Sequence, residues 1–200
     1  PSSIGMKQGE GYFSQKWLFS AGAYGVTDNL TLLAGTLTVF PPAVTIAGGK
    51  ISGEIADNVH LSAGAEVFMT GLDGFDAFAK VGFGGITVGH DDKQLTLSTG
   101  YMVLRYSDYD GNSATPVIVA GQLRTSDRIV LLTENWLVLP NDGDTPFGVG
   151  SAAVRLLGGR ADTRMSRPNK WTTAGDPKYT WDFGVLVIHD GELPYGPLPW

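Results

Sequence analysis

His60, Ser62 and Glu66 fall on one face of a single alternating run, Val59 to Thr70, and they supply an imidazole, a hydroxyl and a carboxylate. Such a set suggests a hydroxyl nucleophile with a base and an orienting acid, the machinery of a membrane lipid hydrolase. Strand geometry argues against it. Residues two apart on a strand stand about 6.5–7 Å apart and residues six apart about 20 Å, so Glu66 cannot orient His60 within that strand. No catalytic residue is assigned, and the chain is not expected to be an enzyme. His90-Asp91-Asp92 and Asp142-Gly143-Asp144 offer oxygen and nitrogen ligands, but neither has EF-hand or zinc-site spacing. Solvated turns are the expectation there, with no metal and no cofactor.

A third set has a different use. Lys50, Glu54, Glu66, Lys80, Arg124, Glu134, Arg155 and Asp182 are isolated charges of both signs, each placed opposite an apolar stripe. They are expected to line an enclosed polar interior and to plug it by pairing across strands. The same charges could instead line a narrow path for small polar solutes.

The elements that would carry them are strands. Asp28, Asp57, Asp92 and Asp127 sit in short turns 29, 35 and 35 residues apart, the length of two strands, a tight turn and a longer loop. AYGVTDNLTLLAG at Ala23 to Gly35 and SGEIADNVHLSAG at Ser52 to Gly64 are two copies of that hairpin. Asp and Asn suit tight hairpins because they bond nearby backbone and tolerate the left-handed conformation. In Val59 to Thr70 the odd positions are wholly apolar and the even ones mostly polar or small. Ala77 to Gly89 is read with Ala77, Ala79, Val81 and Phe83 facing away from Lys80, and Trp181, Phe183, Val185 and Val187 oppose Asp182 and Gly184.

Strands are predicted over Lys16–Val26, Leu30–Phe40, Val44–Ile55, Val59–Thr70, Phe75–Gly89, Gln94–Ser107, Pro116–Arg124, Ile129–Leu139, Phe147–Arg160 and Tyr179–Ile188. Longer connections such as Phe40-Pro41-Pro42, Thr70 to Gly74, Asp108 to Ser113 and Pro140 to Asp144 alternate with the Asp turns. Arg160 to Lys178, with Pro168 and Pro177, reads as a long loop. A meander that opens on a short turn needs a strand before it. Pro1 to Ile4 is read as the tail of that strand and Leu193 to Trp200 as the start of a closing one, giving about 10–12 strands in a single domain, residues 1–200.

The 200 residues carry 28 glycines, 42% hydrophobic side chains, only 17% charge and a net charge of -6. No basic cluster points to a nucleic-acid partner, and the absence of cysteine removes disulfides and thiolate chemistry. No apolar run is long enough for a transmembrane helix. A soluble up-and-down barrel would need frequent charges on its outer face, whereas in-strand charges here are few. The fold expected is therefore an all-β, antiparallel up-and-down transmembrane β-barrel with apolar residues toward lipid and small and charged ones toward the lumen. Trp17, Phe40, Phe75, Tyr106, Tyr109, Trp136, Phe147, Trp171, Tyr179 and Trp181 lie near strand ends, where interfacial girdles form. Starting on Pro1, the chain is expected to be a processed or trimmed product.

Lys7-Gln8-Gly9-Glu10-Gly11-Tyr12, Trp17, the turn Gly25-Val26-Thr27-Asp28-Asn29 and Leu132-Thr133-Glu134-Asn135 together resemble a family of uncharacterised Gram-negative outer-membrane β-barrel proteins. The likeness runs from Lys7 to about Asn135. It implies a bacterial outer-membrane location, with outer-membrane lipid as surroundings and other envelope proteins as partners through the long loops. It supplies no substrate, reaction or site. The function expected is structural or protein-interacting, with a narrow pore, a soluble ligand-binding β-barrel and a lipid-modifying membrane enzyme as alternatives.

Overall fold

In the computed structural model, residues 2–16, 19–37, 44–70, 77–106, 111–160, 177–189 and 198–199 are described. They form one antiparallel sheet in which every strand pairs with its neighbours in sequence. The strands are β1 (Gly11–Lys16), β2 (Phe19–Gly25), β3 (Leu30–Leu37), β4 (Val44–Ala56), β5 (Val59–Thr70) and β6 (Ala77–His90), then β7 (Lys93–Tyr106), β8 (Ser113–Arg124), β9 (Ile129–Pro140), β10 (Phe147–Arg160), β11 (Pro177–His189) and the two-residue β12 (Leu198–Pro199). Among the described residues there is no helix, and no ladder joins β1 to β11 or β12, so the sheet is not closed.

The Asp turns fall where the spacing puts them. Asp57-Asn58 and Asp91-Asp92 are two-residue hairpin turns, and Asn58 takes φ 60, the conformation that Asn tolerates at low cost. A strand does precede the first Asp turn, but it is Gly11–Lys16, divided by residues 17–18 from a shorter β2 than expected. Residues 2–10 form no strand. The connection expected to be a long loop lies at residues 161–176, outside the described residues, and Pro177 and Lys178 already belong to β11.

Pairing register sorts the side chains into two faces, since directly opposed residues share a face. Every buried strand residue among those described is on one of them: Ala23, Gly25, Thr31, Ser52, Thr87, Thr96, Ser98, Ala114, Pro116, Ile118, Ala120, Val130, Val138, Ser151 and Ala153. The exposed large apolar side chains are on the other, apart from Tyr12, Val26 and Phe147. Ile51 is 65% exposed, Leu95 60%, Trp181 63% and Phe183 59%. Large apolar side chains thus face outward, while the buried face carries hydroxyls along β3, β4, β6 and β7 and mostly Ala, Val and Ile along β8 to β10.

The sheet is strongly curled. At a strand spacing of about 4.8 Å, β1 and β10 would be about 43 Å apart in a flat sheet. Yet Tyr12 on β1 lies within electrostatic reach of Arg155 on β10, and Glu66 on β5 within reach of Glu134 on β9. The buried face is concave and encloses an interior.

Candidate functional site

The interior is built on the register of β3 to β11. Lys50 opposes Thr31 and Gly64, and Glu66 opposes Gly48 and Val81. Glu134 opposes Ala120 and Ser151, and Arg155 opposes Val130 and Asp182. Small neighbours leave these four groups room to reach inward.

Their partners differ from an array of ion pairs. Arg155 and Asp182 do pair, Nε to Oδ1 at 2.7 Å and Nη2 to Oδ2 at 2.8 Å, a bidentate bridge fixed by direct cross-strand opposition. Glu134 accepts the indole N–H of Trp136 at 2.6 Å. Lys50 donates to the carbonyls of Ser2 at 2.5 Å and Ile4 at 3.0 Å while lying within electrostatic reach of Glu66.

One of the charges expected in the lumen, Lys80, is corrected. Lys80 opposes Val67 and Val103, which puts it on the outer face, where its Nζ sits 4.9 Å from the Phe78 ring centroid. Val81 and Phe83, read from sequence as outward, oppose Glu66 and Gly64 and face the interior. Glu54 and Arg124 carry the inner register at the Asp-turn rim, Glu54 exposed and Arg124 half-buried. Glu54 accepts the Asn58 N–H at 3.0 Å, and Arg124 bridges Asp92 at 2.8 Å. Among the described residues, one ion pair therefore joins two members of the expected set. Trp136, expected in a girdle, opposes Ile118 and Val149 on the inner face. Trp17, Phe40, Phe75, Tyr109 and Trp171 lie outside the described residues.

What fills the Asp-turn half of the interior is the chain itself. Residues 2–6 run across the inner faces of β7, β6, β5, β4 and β3 in turn. Ser2 Oγ donates to Gln94 Oε1 at 2.5 Å, the Ser3 N–H to Thr87 Oγ1 at 2.7 Å, and Ser62 Oγ to Ser3 Oγ at 2.9 Å. The Met6 N–H reaches Thr31 Oγ1 at 3.3 Å. Thr87 also bonds Thr96 at 2.8 Å, so the Ser3 N–H caps a pair of deeply buried threonine hydroxyls beneath the strap, while the Ser3 hydroxyl is held by Ser62. Gly5 suits a close approach: a Cβ there would meet the Ser52 hydroxyl, which would have to turn away. Beyond the strap, Gln8 donates to Asp28 Oδ1 at 2.9 Å and Gly9 pairs with Gly25, which turns the chain out of the interior and into β1.

The Ser62 hydroxyl is thus spent on the strap, and His60 and Glu66 share its face without joining it. Sequence reasoning missed the strap. Its signal was the lack of alternation in Ser-Ser-Ile-Gly-Met, together with the recurrence of Ser and Thr at inner positions of five strands. Among the described residues, no three His, Asp or Glu side chains are gathered to hold a metal ion. No family model, curated protein or solved structure matches the chain.

Proposed function

We propose that the chain forms a transmembrane β-barrel of the outer-membrane type, structural or protein-interacting in role, whose interior is stopped by residues 2–6 and the Arg155–Asp182 pair. The observation that carries this reading is the outer face of the sheet, on which large apolar side chains stand exposed from β3 to β11. Soluble proteins seldom expose contiguous apolar surface on this scale, and lipid removes the penalty for doing so.

The height of the apolar surface supports the same reading. On the outer face of β7, Lys93 and Arg105 bound an uncharged stretch of residues 94–104, and on β6 Lys80 and His90 bound residues 81–89. At a rise of about 3.3 Å per residue and a tilt of about 40°, these stretches are about 28 and 23 Å tall, close to the ~25 Å band of such barrels. The outer charges therefore fall at the two rims. Closure between the first and last strands would complete the backbone pairing that lipid demands. The strand ends Leu37, Val44, Thr70, Ala77, Tyr106, Ser113, Pro140 and Phe147 share one end, and it is at this end that a partner would dock.

Purification tests it directly. The chain should require detergent, float with phospholipid vesicles and migrate faster on a gel unheated than boiled. A monodisperse chain in plain buffer that leaves vesicles alone would sink the proposal.

A further inference from the structure

We propose that residues 2–6 are a removable stopper and that the barrel without them conducts small cations in preference to anions. This rests on the barrel reading above and adds an activity to it.

The first ground is how the strap is held. Among the described residues, residues 2–6 make no backbone ladder with any strand. Their anchors are side chains: Gln94, Thr87, Ser62, Lys50 and Thr31. Releasing the strap breaks no sheet hydrogen bond, so the wall can persist with the interior vacated.

The second ground is what the strap covers. Residues buried to hold a fold together are usually aliphatic, because unmade hydrogen bonds there are costly. Beneath the strap lie hydroxyls, with Thr87 0%, Thr96 2%, Ser98 4% and Ser52 5% exposed, and the Ser52 Oγ has no partner even with the strap seated. Water can satisfy every one of these groups once the strap leaves. The surface left behind is that of an aqueous passage.

The third ground is charge. Arg155 is neutralised by Asp182. Among the described residues, and away from the Asp-turn rim, what remains facing the interior is Glu66 and Glu134, within electrostatic reach of each other, against Lys50. One net negative charge in a narrow, low-dielectric passage raises the local cation concentration and repels anions.

Planar-bilayer recording in a potassium chloride gradient tests the proposal, using the full chain, Gly5→Val, and Lys50→Met. Gly5→Val crowds the strap against the Ser52 hydroxyl, and Lys50→Met removes the two hydrogen bonds that the ammonium makes to the strap without adding bulk. The full chain should be nearly silent, while either variant should carry a steady current with a reversal potential on the potassium side. Glu66→Gln combined with Glu134→Gln in the open background should move that potential toward chloride. The chain has no native cysteine, so Ser3→Cys with Ser62→Cys, whose hydroxyls are 2.9 Å apart, gives a clean lock. Oxidation should silence the Lys50→Met background and reductant should restore its current. Heat-modifiable, membrane-inserted variants that stay silent, a full chain that conducts as well as they do, or a current carried by chloride would each overturn the stopper and leave the barrel standing. Failure of every form to insert would overturn the barrel and the stopper with it.

Discussion

Replacing Asp182 by alanine should cost more than replacing Asp182 and Arg155 together. The guanidinium makes two charge-assisted bonds to the carboxylate, at 2.7 and 2.8 Å. Asp182 is 15% exposed and Arg155 33%. Breaking a buried pair from one side costs about 3–5 kcal/mol because the remaining charge is stranded. Arg155 is a third exposed and regains part of its hydration, which lowers the expected cost of Asp182→Ala to about 2–3 kcal/mol. Nothing else in the described interior can take over: Glu134 is held by the Trp136 indole, and Tyr12 is the other group within electrostatic reach of Arg155. The double variant Arg155→Leu with Asp182→Leu strands no charge and should fall within about 1 kcal/mol of the parent chain. Urea unfolding in detergent micelles, followed by loss of the fast-migrating gel form, measures both. Equal costs for the single and double variants would refute the reasoning, since the pair would then contribute only through the volume of its side chains.

Ala63 opposes Ile51 on the outer face, so Ala63→Arg should destabilise the inserted chain by about 2–4 kcal/mol, whereas an added charge at the rim, such as Leu123→Arg, should cost about 1 kcal/mol or less; the same unfolding assay compares them, and equal costs would argue against a lipid-facing belt. Gly89 has φ 117, and a Cβ there would overlap the Lys93 carbonyl, so Gly89→Ala should cost about 1–3 kcal/mol by urea unfolding. Asn58→Gly, at φ 60, should by the same method change stability by no more than about 0.5 kcal/mol. Trp136→Phe removes the indole donor to Glu134 and should cost about 1–2 kcal/mol, with a matching loss of the component of tryptophan emission that responds to Glu134→Gln.

The clean alternation of β5 was enough to put Leu61, Ala63 and Val67 on one face and Glu66 on the other, because a strand whose odd positions are all apolar has one consistent phase. The Asp-Asn hairpins were legible for a similarly local reason: the turn conformation selects its own residues. All-β class, antiparallel meander order and most strand positions follow from those two signals. Lys80 shows where they stop. Both faces of β6 are built from small and apolar residues, so its own sequence does not fix its phase; the pairing of Val67 with Lys80 and of Glu66 with Val81 does. A lysine near a strand end can also sit at a rim on the outer face, where its charge escapes the belt. The partner of Arg155 depended on the register of β10 against β11, and those of Lys50 on the path of residues 2–6, whereas Glu134 meets Trp136 two residues along its own strand. The strap depended on tertiary structure most of all. Residues 2–6 have no periodicity and no local bonding that would place them, and only the curled sheet creates the row of inward hydroxyls from β3, β5 and β6 that their backbone and side chains satisfy.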